Sequence, residues 1–371
     1  MPTLSADFVF LWRDAGETLA LEPVIQQLIA QQYTCTAIVT GYGTCPYNDN
    51  TPLPPYVTTL YRMGVPLSSL EPLANRSSRL PEDDVKLLTE HVHGTVLVTG
   101  MVSAVQLQLS LALASKQTIG YDDGFAAWNE STWPAAFTQV PAIDALYVTA
   151  SMIAANASRL HPKLSVATVG SPTLEAWVAD TSNHTRLQQV REQVFGNIQV
   201  PILAYYGGYG AGYNASVELY ARLISSLLET EEVHGAFLRH PGNFTDAVEQ
   251  QIFQDYGVAA HITMVDRRYA TADIAAITNV SLSQGSTVCV QALFIGKPSL
   301  FLSAPGDDSS NIATQLGLLP DAHTLQEGLE QYKLFKHTDF LFDRSRLDAS
   351  GIPRNASQHI TSRLIKLLGP L

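Results

Sequence analysis

The chain has 371 residues, of which 46% are apolar and 15% are charged, and its formal net charge is −12. This composition excludes a disordered or fibrous protein. The negative net charge argues against sequence-independent binding of nucleic acid, which requires a positively charged surface. A single hydrophobic core is rarely this large, so the length favours two domains of roughly 150 to 200 residues each.

The three cysteines, Cys35, Cys45 and Cys289, are too few for a disulfide framework and do not have the spacing of zinc ligands. We therefore expect a reducing compartment and no bound metal. There is no apolar run of about 18 or more residues to predict a transmembrane helix. The first residues lack the basic region of a secretory signal, so a cytoplasmic protein is expected.

The first half of the chain alternates apolar runs with segments of helical periodicity. Six runs have the composition of buried strands, namely residues 6–12, 34–41, 95–101, 117–123, 144–151 and 165–172. Helices are predicted over residues 19–32 and 102–115, and a polar helical connection between Ser171 and Gly196. The proline-rich residues 47–81 predict an extended excursion that carries one or two helices. This alternation indicates a parallel sheet covered by helices.

The second half repeats the same alternation. Strands are predicted over residues 200–206, 235–241, 261–266 and 297–303, with a further strand ending just before residue 284, and helices over residues 214–229, 245–257 and 287–296. We therefore predict an α/β protein of two Rossmann-like, doubly wound domains facing across a cleft, with residues 1–180 as the acceptor domain and 181–371 as the donor domain. Ligands of such sheets bind at the carboxyl ends of the strands.

A glycine-rich turn follows the first strand of the second half. Its residues Gly207, Gly208, Tyr209 and Gly210 lie between a predicted strand and a predicted helix. Glycine lets the backbone approach a ligand closely, and a helix N-terminus offers unpaired N–H groups to an anion. The turn is not a G-x-G-x-x-G fingerprint or a Walker loop. It is equally compatible with a phosphate or sugar site and with a plain tight turn.

Two further strand ends of the second half carry polar groups. His240 and Pro241 end one strand, and a protonated imidazole there can stabilise a leaving phosphate, although a lone histidine is more often structural. A second group of candidate donor-binding residues surrounds the next strand end, namely Gln284, Gly285, Ser286, Thr287 and Gln291. The hydroxyls at this helix start can bind an anion or simply cap the helix.

Acidic candidates lie in the first half. Asp122 and Asp123 stand in "GYDDGF" at a predicted strand end, where a carboxylate can deprotonate an acceptor hydroxyl, although Asp-Gly is also a common turn pair. We assign the general base to Asp122 and expect Asp123 to shape the turn or orient its neighbour. Arg13, Asp14 and Gly16 follow the first strand and are interpreted as acceptor-side or domain-closing residues.

Together these pieces resemble the GT-B architecture, and the order of D-D-G, H-P and a hydroxyl pair resembles the bacterial GT-B sialyltransferases. The resemblance covers nearly the whole chain in organisation and only short motifs in detail. It implies that Asp122 is the general base, that His240 assists the departing nucleotide phosphate, and that Ser286 and Thr287 bind that phosphate. The second hydroxyl is threonine here instead of serine.

The chain also resembles the non-hydrolysing UDP-N-acetylglucosamine 2-epimerases, which are GT-B relatives. That resemblance matches Asp122 to the glutamate of their H-x-E-A-G stretch and His240 to the histidine of their H-P-N stretch. Gln291, however, stands where an acidic ribose-binding residue is expected, and "YYGGYGAGY" replaces their basic motif. These departures favour the transferase.

The resulting prediction is an inverting, metal-independent glycosyltransferase that needs no cofactor, because the nucleotide-sugar is its substrate. Its partners are a nucleotide-sugar donor and a carbohydrate or other hydroxyl acceptor. The alternatives are a sugar-nucleotide epimerase or hydrolase, and a non-catalytic nucleotide-binding relative. The sequence does not predict the nucleobase, the sugar, the acceptor or the oligomeric state.

Overall fold

The structure is a computed structural model that describes residues 4–12, 15–39, 67–69, 79–101, 103–113, 115–125, 143–208, 210–240, 245–304, 312–315, 317–337 and 351–369. The chain divides into two compact units, Met1–Glu175 together with Leu347–Leu371, and Ala176–Arg346. Each unit is built on one sheet.

The first unit holds a sheet of seven parallel strands. These strands are β1 Leu4–Trp12, β2 Cys35–Val39, β3 Leu67–Ser69, β4 Val92–Gly100, β5 Gln117–Asp122, β6 Ala145–Val148 and β7 Ser165–Thr168. Their order in the sheet is β3-β2-β1-β4-β5-β6-β7. The chain therefore leaves β1 in one direction and returns on its other side at β4, as in a doubly wound Rossmann sheet.

Helices cover both faces of this sheet. They are α1 Ala15–Ala30, α2 Glu82–His91, α3 Ala104–Ala112, α4 Ser151–Leu160 and, after the second unit, α13 Ala356–Leu367, whereas α5 Pro172–Asp180 begins in the first unit and ends in the second. On β1, Phe8 and Phe10 belong to the cluster formed with α1 and α13, whereas Val9 and Leu11 belong to the cluster formed with α2 and α3. A strand that is buried on both faces needs this continuous apolar run.

The second unit holds six parallel strands. They are β8 Ile202–Tyr206, β9 His234–Leu238, β10 Ile262–Met264, β11 Val280–Ser283, β12 Ser299–Leu302 and β13 Asp321–Ala322. The helices are α6 His184–Phe195, α7 Tyr213–Leu228, α8 Ala247–Asp255, α9 Thr271–Ile277, α10 Thr287–Phe294, α11 Ile312–Gln315 and α12 Leu325–His337. The strand order is β10-β9-β8-β11-β12-β13, which repeats the order of the first unit.

The switch point of a doubly wound sheet lies between two adjacent strands from which the chain continues toward opposite edges of the sheet. It lies between β1 and β4 in the first sheet and between β8 and β11 in the second. Ligands of doubly wound sheets bind outside the carboxyl ends of the strands at this point. The strand ends after β8 and β11 carry the predicted glycine turn and the predicted hydroxyl pair.

The predicted α/β class with two Rossmann-like domains is confirmed. The structure differs from the expected domain ranges at the end of the chain, because α13 packs on the first unit: its Ile360 and Leu364 are buried in the same cluster as α1. The predicted excursion over residues 47–81 lies mostly outside the described residues, and within it the short strand β3 pairs with β2. Among the described helices, none is both long and apolar enough to cross a membrane.

Candidate functional site

The backbone after β8 passes very close to the end of the neighbouring strand β9. The amide of Gly207 donates to the carbonyl of Leu238 over 2.8 Å. A Cβ atom on Gly207 would lie 2.9 Å from the amide nitrogen of His240 and 3.0 Å from the carbonyl oxygen of Leu238. Only glycine fits at this distance. The predicted glycine turn and the predicted histidine are therefore neighbours at the carboxyl edge of the second sheet.

The same turn is also tied to the end of β11. The side-chain amide of Gln284 donates to the carbonyl of Ala211 over 2.7 Å. Beneath the turn, the hydroxyl of Tyr213 donates to the carboxylate of Glu249 over 2.7 Å. Burial, followed by the hydrogen bond and the charge of Glu249, raises the pKa of Tyr213, so this phenol stays protonated. Hydrogen bonds thus hold the turn to the ends of β9 and β11, and the pair of Tyr213 and Glu249 supports it from beneath.

The hydroxyl pair begins helix α10. Ser286 is its N-cap: the hydroxyl accepts from the amide of Val288 over 3.2 Å, and its own amide donates to the hydroxyl of Ser283 over 2.9 Å. Thr287 is the first helical residue and Gln291 lies one turn further, both half-buried. Gly285 is exposed, and a Cβ atom there would meet nothing within 4 Å. The capping interpretation of Ser286 therefore holds, and its hydroxyl also stands at the helix end that attracts anions.

His240 is half-buried, and its backbone carbonyl accepts a hydrogen bond from the guanidinium of Arg267 over 2.9 Å. Arg267 follows strand β10, so four neighbouring strands of the second sheet, β10, β9, β8 and β11, contribute to this edge. Gly210 has a φ of +97°, which a residue with a side chain rarely adopts. Tyr209 and Pro241 lie outside the described residues.

In the first unit, Asp122 is the last residue of β5. One of its carboxylate oxygens, Oδ1, accepts from the amide of Gly124 over 2.9 Å, and the carbonyl of Gly124 accepts from the hydroxyl of Thr149 over 2.8 Å. These contacts are those of an Asx turn, which orients the Asp122 carboxylate. Asp123 is half-buried beside it.

The residue before Asp122 is a buried phenol. Burial raises the pKa of Tyr121 well above its ordinary value, and the carboxylates of Asp123, Asp122 and Glu175 raise it further. Tyr121 therefore stays neutral. Its ring packs in the core of the first unit and supports the strand end from which the two aspartates project.

The switch point of the first sheet has a feature that the sequence analysis missed. Glu17, in the first turn of α1, is 1% exposed, and its two carboxylate oxygens accept from the side-chain amide of Gln106 over 3.0 and 2.9 Å. Gln106 also forms a capping box with Ser103 at the start of α3. A Cβ atom on Gly100, at the end of β4, would collide with the Glu17 carboxylate.

The signals for these missed residues are weak in the sequence. Glu17 and Gln106 are 89 positions apart, and although Ser103 and Gln106 have the spacing of a capping box, nothing in the sequence connects them with Glu17. Of the predicted acceptor-side residues, Arg13 and Asp14 lie outside the described residues, and Gly16 is exposed in the first turn of α1. Among the described residues, no group of three or more His, Cys, Asp or Glu side chains is placed to hold a metal.

Comparison with known proteins connects this fold to solved structures. No family model matches the sequence, and no curated protein matches it significantly. The UDP-GlcNAc 2-epimerase of Neisseria meningitidis bound to UDP-GlcNAc matches with a TM-score of 0.71 and 14% identity, over 98% of this chain and 100% of that one. A glycosyltransferase from Rickettsia africae matches with a TM-score of 0.65 and 11% identity, over 98% and 100%.

A third match is the UDP-GlcNAc 2-epimerase of Methanocaldococcus jannaschii in complex with UDP-GlcNAc and UDP. Its TM-score is 0.69 at 11% identity, over 98% of this chain and 99% of that one. At these identities the likeness establishes the fold, and the predicted GT-B fold of two Rossmann-like domains is confirmed. The roles assigned above to individual residues stay predictions.

Proposed function

We propose that this chain is a nucleotide-sugar enzyme and, more narrowly, a glycosyltransferase that moves a sugar from a nucleotide-sugar donor to an acceptor hydroxyl. The observation that carries the proposal is the convergence at the switch point of the second sheet. There the close backbone approach of Gly207 to His240 and the contact of Gln284 with the glycine turn bring three predicted donor-binding segments together.

The chemistry of this edge suits a leaving nucleotide phosphate. Gly208 and Gly210 leave backbone of the turn accessible, His240 supplies an imidazole, and Ser286 and Thr287 stand at the N-terminus of α10. Aligned amides and hydroxyls at a helix start favour an anion, and an imidazolium neutralises charge that develops on a leaving group. Such protein donors take the role that a divalent metal has in other transferases, so we propose a metal-independent reaction.

The charge at the other switch point supports placing the donor on the second unit. Glu17 puts a buried carboxylate at the N-terminus of α1, where a phosphate would otherwise benefit from the helix dipole. A second anion at this position would be repelled by that carboxylate. The same topological position is therefore suited to an anionic ligand in the second unit only.

For the acceptor we propose Asp122 as the general base of an inverting reaction. The Gly124 amide fixes the direction of its carboxylate, as a base must be fixed before it can remove a proton from an attacking hydroxyl. His240 assists the departing phosphate, and the acceptor oxygen attacks the anomeric carbon from the opposite side. Asp123 holds the turn in this role.

An epimerase is the second candidate, because UDP-GlcNAc 2-epimerases are among the solved structures that match nearly the full length of the chain. The protein is incubated with UDP-GlcNAc and with CMP-sialic acid, each without acceptor, and the sugar is followed by proton NMR. A transferase leaves the donor nearly unchanged until an acceptor is added. Inversion at C2 of UDP-GlcNAc without acceptor would replace the transferase with the epimerase.

Nucleotide binding itself is tested by thermal shift with CMP, UDP, GDP and dTDP. A ligand that binds only the folded state raises the melting temperature with concentration. We expect one nucleotide to do so, and the His240→Ala variant to lose most of the shift. Stabilisation without turnover of any donor would indicate a non-catalytic relative, and the absence of stabilisation by all four would contradict a nucleotide-sugar enzyme.

A further inference from the structure

A second polar site lies within the first unit, between α13 and the last two strands of its sheet. Its cavity has a volume of about 500 Å³, which falls in the range of small-molecule sites. The polar side chains that line it are those of Tyr147, Thr168, His359, Ser362, Arg363 and Lys366. We call this space the basic cavity. None of the residues considered above for the sugar-transfer reaction lines it.

The basic groups of this cavity share one face of α13. His359, Arg363 and Lys366 are spaced by four and three positions, so their side chains follow one another along the helix. The opposite face of α13 is occupied, because Ile360 and Leu364 are buried in the core of the first unit. The helix is therefore anchored, and the backbone positions of its three basic residues are fixed.

These basic groups have no acidic counterpart. No Asp or Glu lines the cavity, and His359, Arg363 and Lys366 are exposed and make no hydrogen bond or ion pair with another described residue. By contrast, Arg186 is held by Asp273 over 2.7 Å and Arg191 by the carbonyl of Ile277 over 2.7 Å. Arg363 and Lys366 thus place two positive charges side by side, unpaired among the described residues, in a chain of net charge −12, and ordinary surface composition does not require this.

A carboxylate that hydrogen-bonds to the start of α13, that of Glu175, is directed to other groups. Glu175 accepts from the amides of Ala356 and Ser357 and from the Ser357 hydroxyl at the start of the helix. It lines a second hollow beside α13 that shares Ser362 with the basic cavity, and Glu175 is not among the residues that line the basic cavity itself.

The sheet contributes the remaining walls of the cavity. Tyr147 is 4% exposed, and burial raises the pKa of its phenol while the nearby guanidinium of Arg363 partly lowers it. The phenol is therefore a neutral donor close to a fixed cation. Apolar atoms of Pro353 and Leu367 complete the lining. The site thus combines hydrogen-bond donors and positive charge with an apolar wall.

We propose that the basic cavity binds a phosphate ester through the basic side chains of α13, with the organic part of the ester against Tyr147, Pro353 and Leu367. A phosphoryl group has three acceptor oxygens and up to two negative charges, which match several cationic and hydroxyl donors better than the two oxygens of a carboxylate do. Two kinds of molecule can supply this phosphoryl group, a soluble phosphate ester and the headgroup of a phospholipid.

The test uses the full chain and hexyl phosphate, with hexanol and hexanoate as matched probes, in calorimetric titrations. We expect saturable binding of hexyl phosphate, weaker binding of hexanoate and none of hexanol. Arg363→Glu should weaken the binding of hexyl phosphate at least about tenfold, because it replaces a charge-assisted donor by a like charge. Lys163→Glu makes the same kind of charge change on an exposed residue of the same unit and should leave the affinity unchanged.

Two controls locate the site and keep the test independent of the proposed sugar transfer. Hexyl phosphate should bind the His240→Ala variant as it binds the wild type, because His240 lies in the second unit. If circular dichroism shows that Arg363→Glu does not fold, the titration with hexyl phosphate is made with Lys366→Glu, for which the same loss of affinity is expected. Equal binding of hexanol, equal effects of Lys163→Glu and Arg363→Glu, or loss of binding in His240→Ala would each overturn the proposal.

The two sources are separated by flotation with phosphatidylcholine vesicles, with and without phosphatidic acid. Flotation only with phosphatidic acid, abolished by Arg363→Glu and not by Lys163→Glu, supports the site with a lipid headgroup as its source, whether or not hexyl phosphate binds. Binding of hexyl phosphate without flotation supports a soluble ester. If neither probe binds, the proposal fails.

Discussion

Six strands follow the same order in the two sheets, yet different groups occupy the two switch points. In the second sheet the switch point presents glycine backbone and the N-terminus of α10, whereas in the first sheet the corresponding place is filled by the Glu17 carboxylate and Gln106. Under the proposed function, the same topology serves an anion in one unit and is closed to it in the other. The difference predicts that ligand affinity and chemical turnover respond to changes in different units.

The largest expected effect comes from the first unit and concerns turnover. Asp122→Asn keeps an oxygen that can accept from the Gly124 amide, so the turn should persist while the base is lost. We expect kcat to fall about 10²- to 10⁴-fold, as for removal of a general base, with donor affinity nearly unchanged. Steady-state kinetics and nucleotide titration measure the two quantities separately.

Asp123→Asn is the matched control for this change, because it removes the adjacent carboxylate from the same turn. It should reduce kcat much less than Asp122→Asn does. A large loss of nucleotide affinity in Asp122→Asn would move this residue to the donor site. Equal losses of kcat in both variants would remove the distinction between the two aspartates.

The next effect comes from the second unit and concerns donor affinity. Gly207→Ala places a methyl group 2.9 Å from the amide nitrogen of His240 and 3.0 Å from the carbonyl oxygen of Leu238, so the backbone of the turn must move. We expect nucleotide affinity to fall at least about tenfold and the free energy of unfolding to fall by about 1–3 kcal/mol. Calorimetric titration and urea unfolding measure these changes.

Gly208→Ala tests whether the effect comes from the close approach. Its added methyl group would have no neighbour nearer than 3.6 Å, so its stability should stay close to that of the wild type. If both variants lose the same stability, the turn is fragile in general. If Gly207→Ala binds nucleotide normally, the proposed donor site does not use this backbone.

The fold could be predicted because buried parallel strands are continuous apolar runs, as in "FVFLW" of β1 and "ILAYY" of β8, separated by helical periodicity. Strand β3 has three residues and no comparable pattern. The position of α13 could not be predicted either, because its apolar face, with Ile360 and Leu364, is compatible with packing on any sheet. The local sequence pattern predicts a helix or a strand, whereas the sheet or helix against which it packs depends on tertiary contacts.

The candidate site was predictable to the same extent. Gly207, His240 and Ser286 follow predicted strands, and parallel strands bring their carboxyl ends to one edge. The contact between Glu17 and Gln106 joins two ordinary helix-start residues across 89 positions, and only the β1 and β4 pairing brings them together.

A smaller effect tests the closed switch point of the first unit. Glu17→Gln replaces one of the two oxygens that accept from the Gln106 amide by a second amide donor, and both residues are buried. An unmatched buried donor costs about 1–3 kcal/mol of stability. Urea unfolding should show this loss, while Glu90→Gln, on the exposed side of α2, should change little. If Glu17→Gln is as stable as the wild type, the carboxylate is not needed to close this edge.

The smallest expected effect concerns His234 at the amino edge of the second sheet, which is the edge opposite the candidate site. At the amino end of β9, Nε2 of His234 lies 2.8 Å from the Thr263 hydroxyl, and burial, with a contribution from His261, lowers the pKa of His234 below its ordinary 6.5. Below about pH 6.5 the unfolded chain therefore binds a proton that the folded chain resists, and stability falls as the pH falls through this window.

One such group changes the free energy of unfolding by at most about 1.4 kcal/mol per pH unit, and a half-buried histidine by less. His234→Gln should reduce the loss of stability between about pH 7.5 and about pH 5.5, whereas His184→Gln, at an exposed position of the same unit, should keep the loss seen in the wild type. Urea midpoints at the two pH values measure the difference. An identical pH dependence in His234→Gln and the wild type would show that the amino edge does not sense protons.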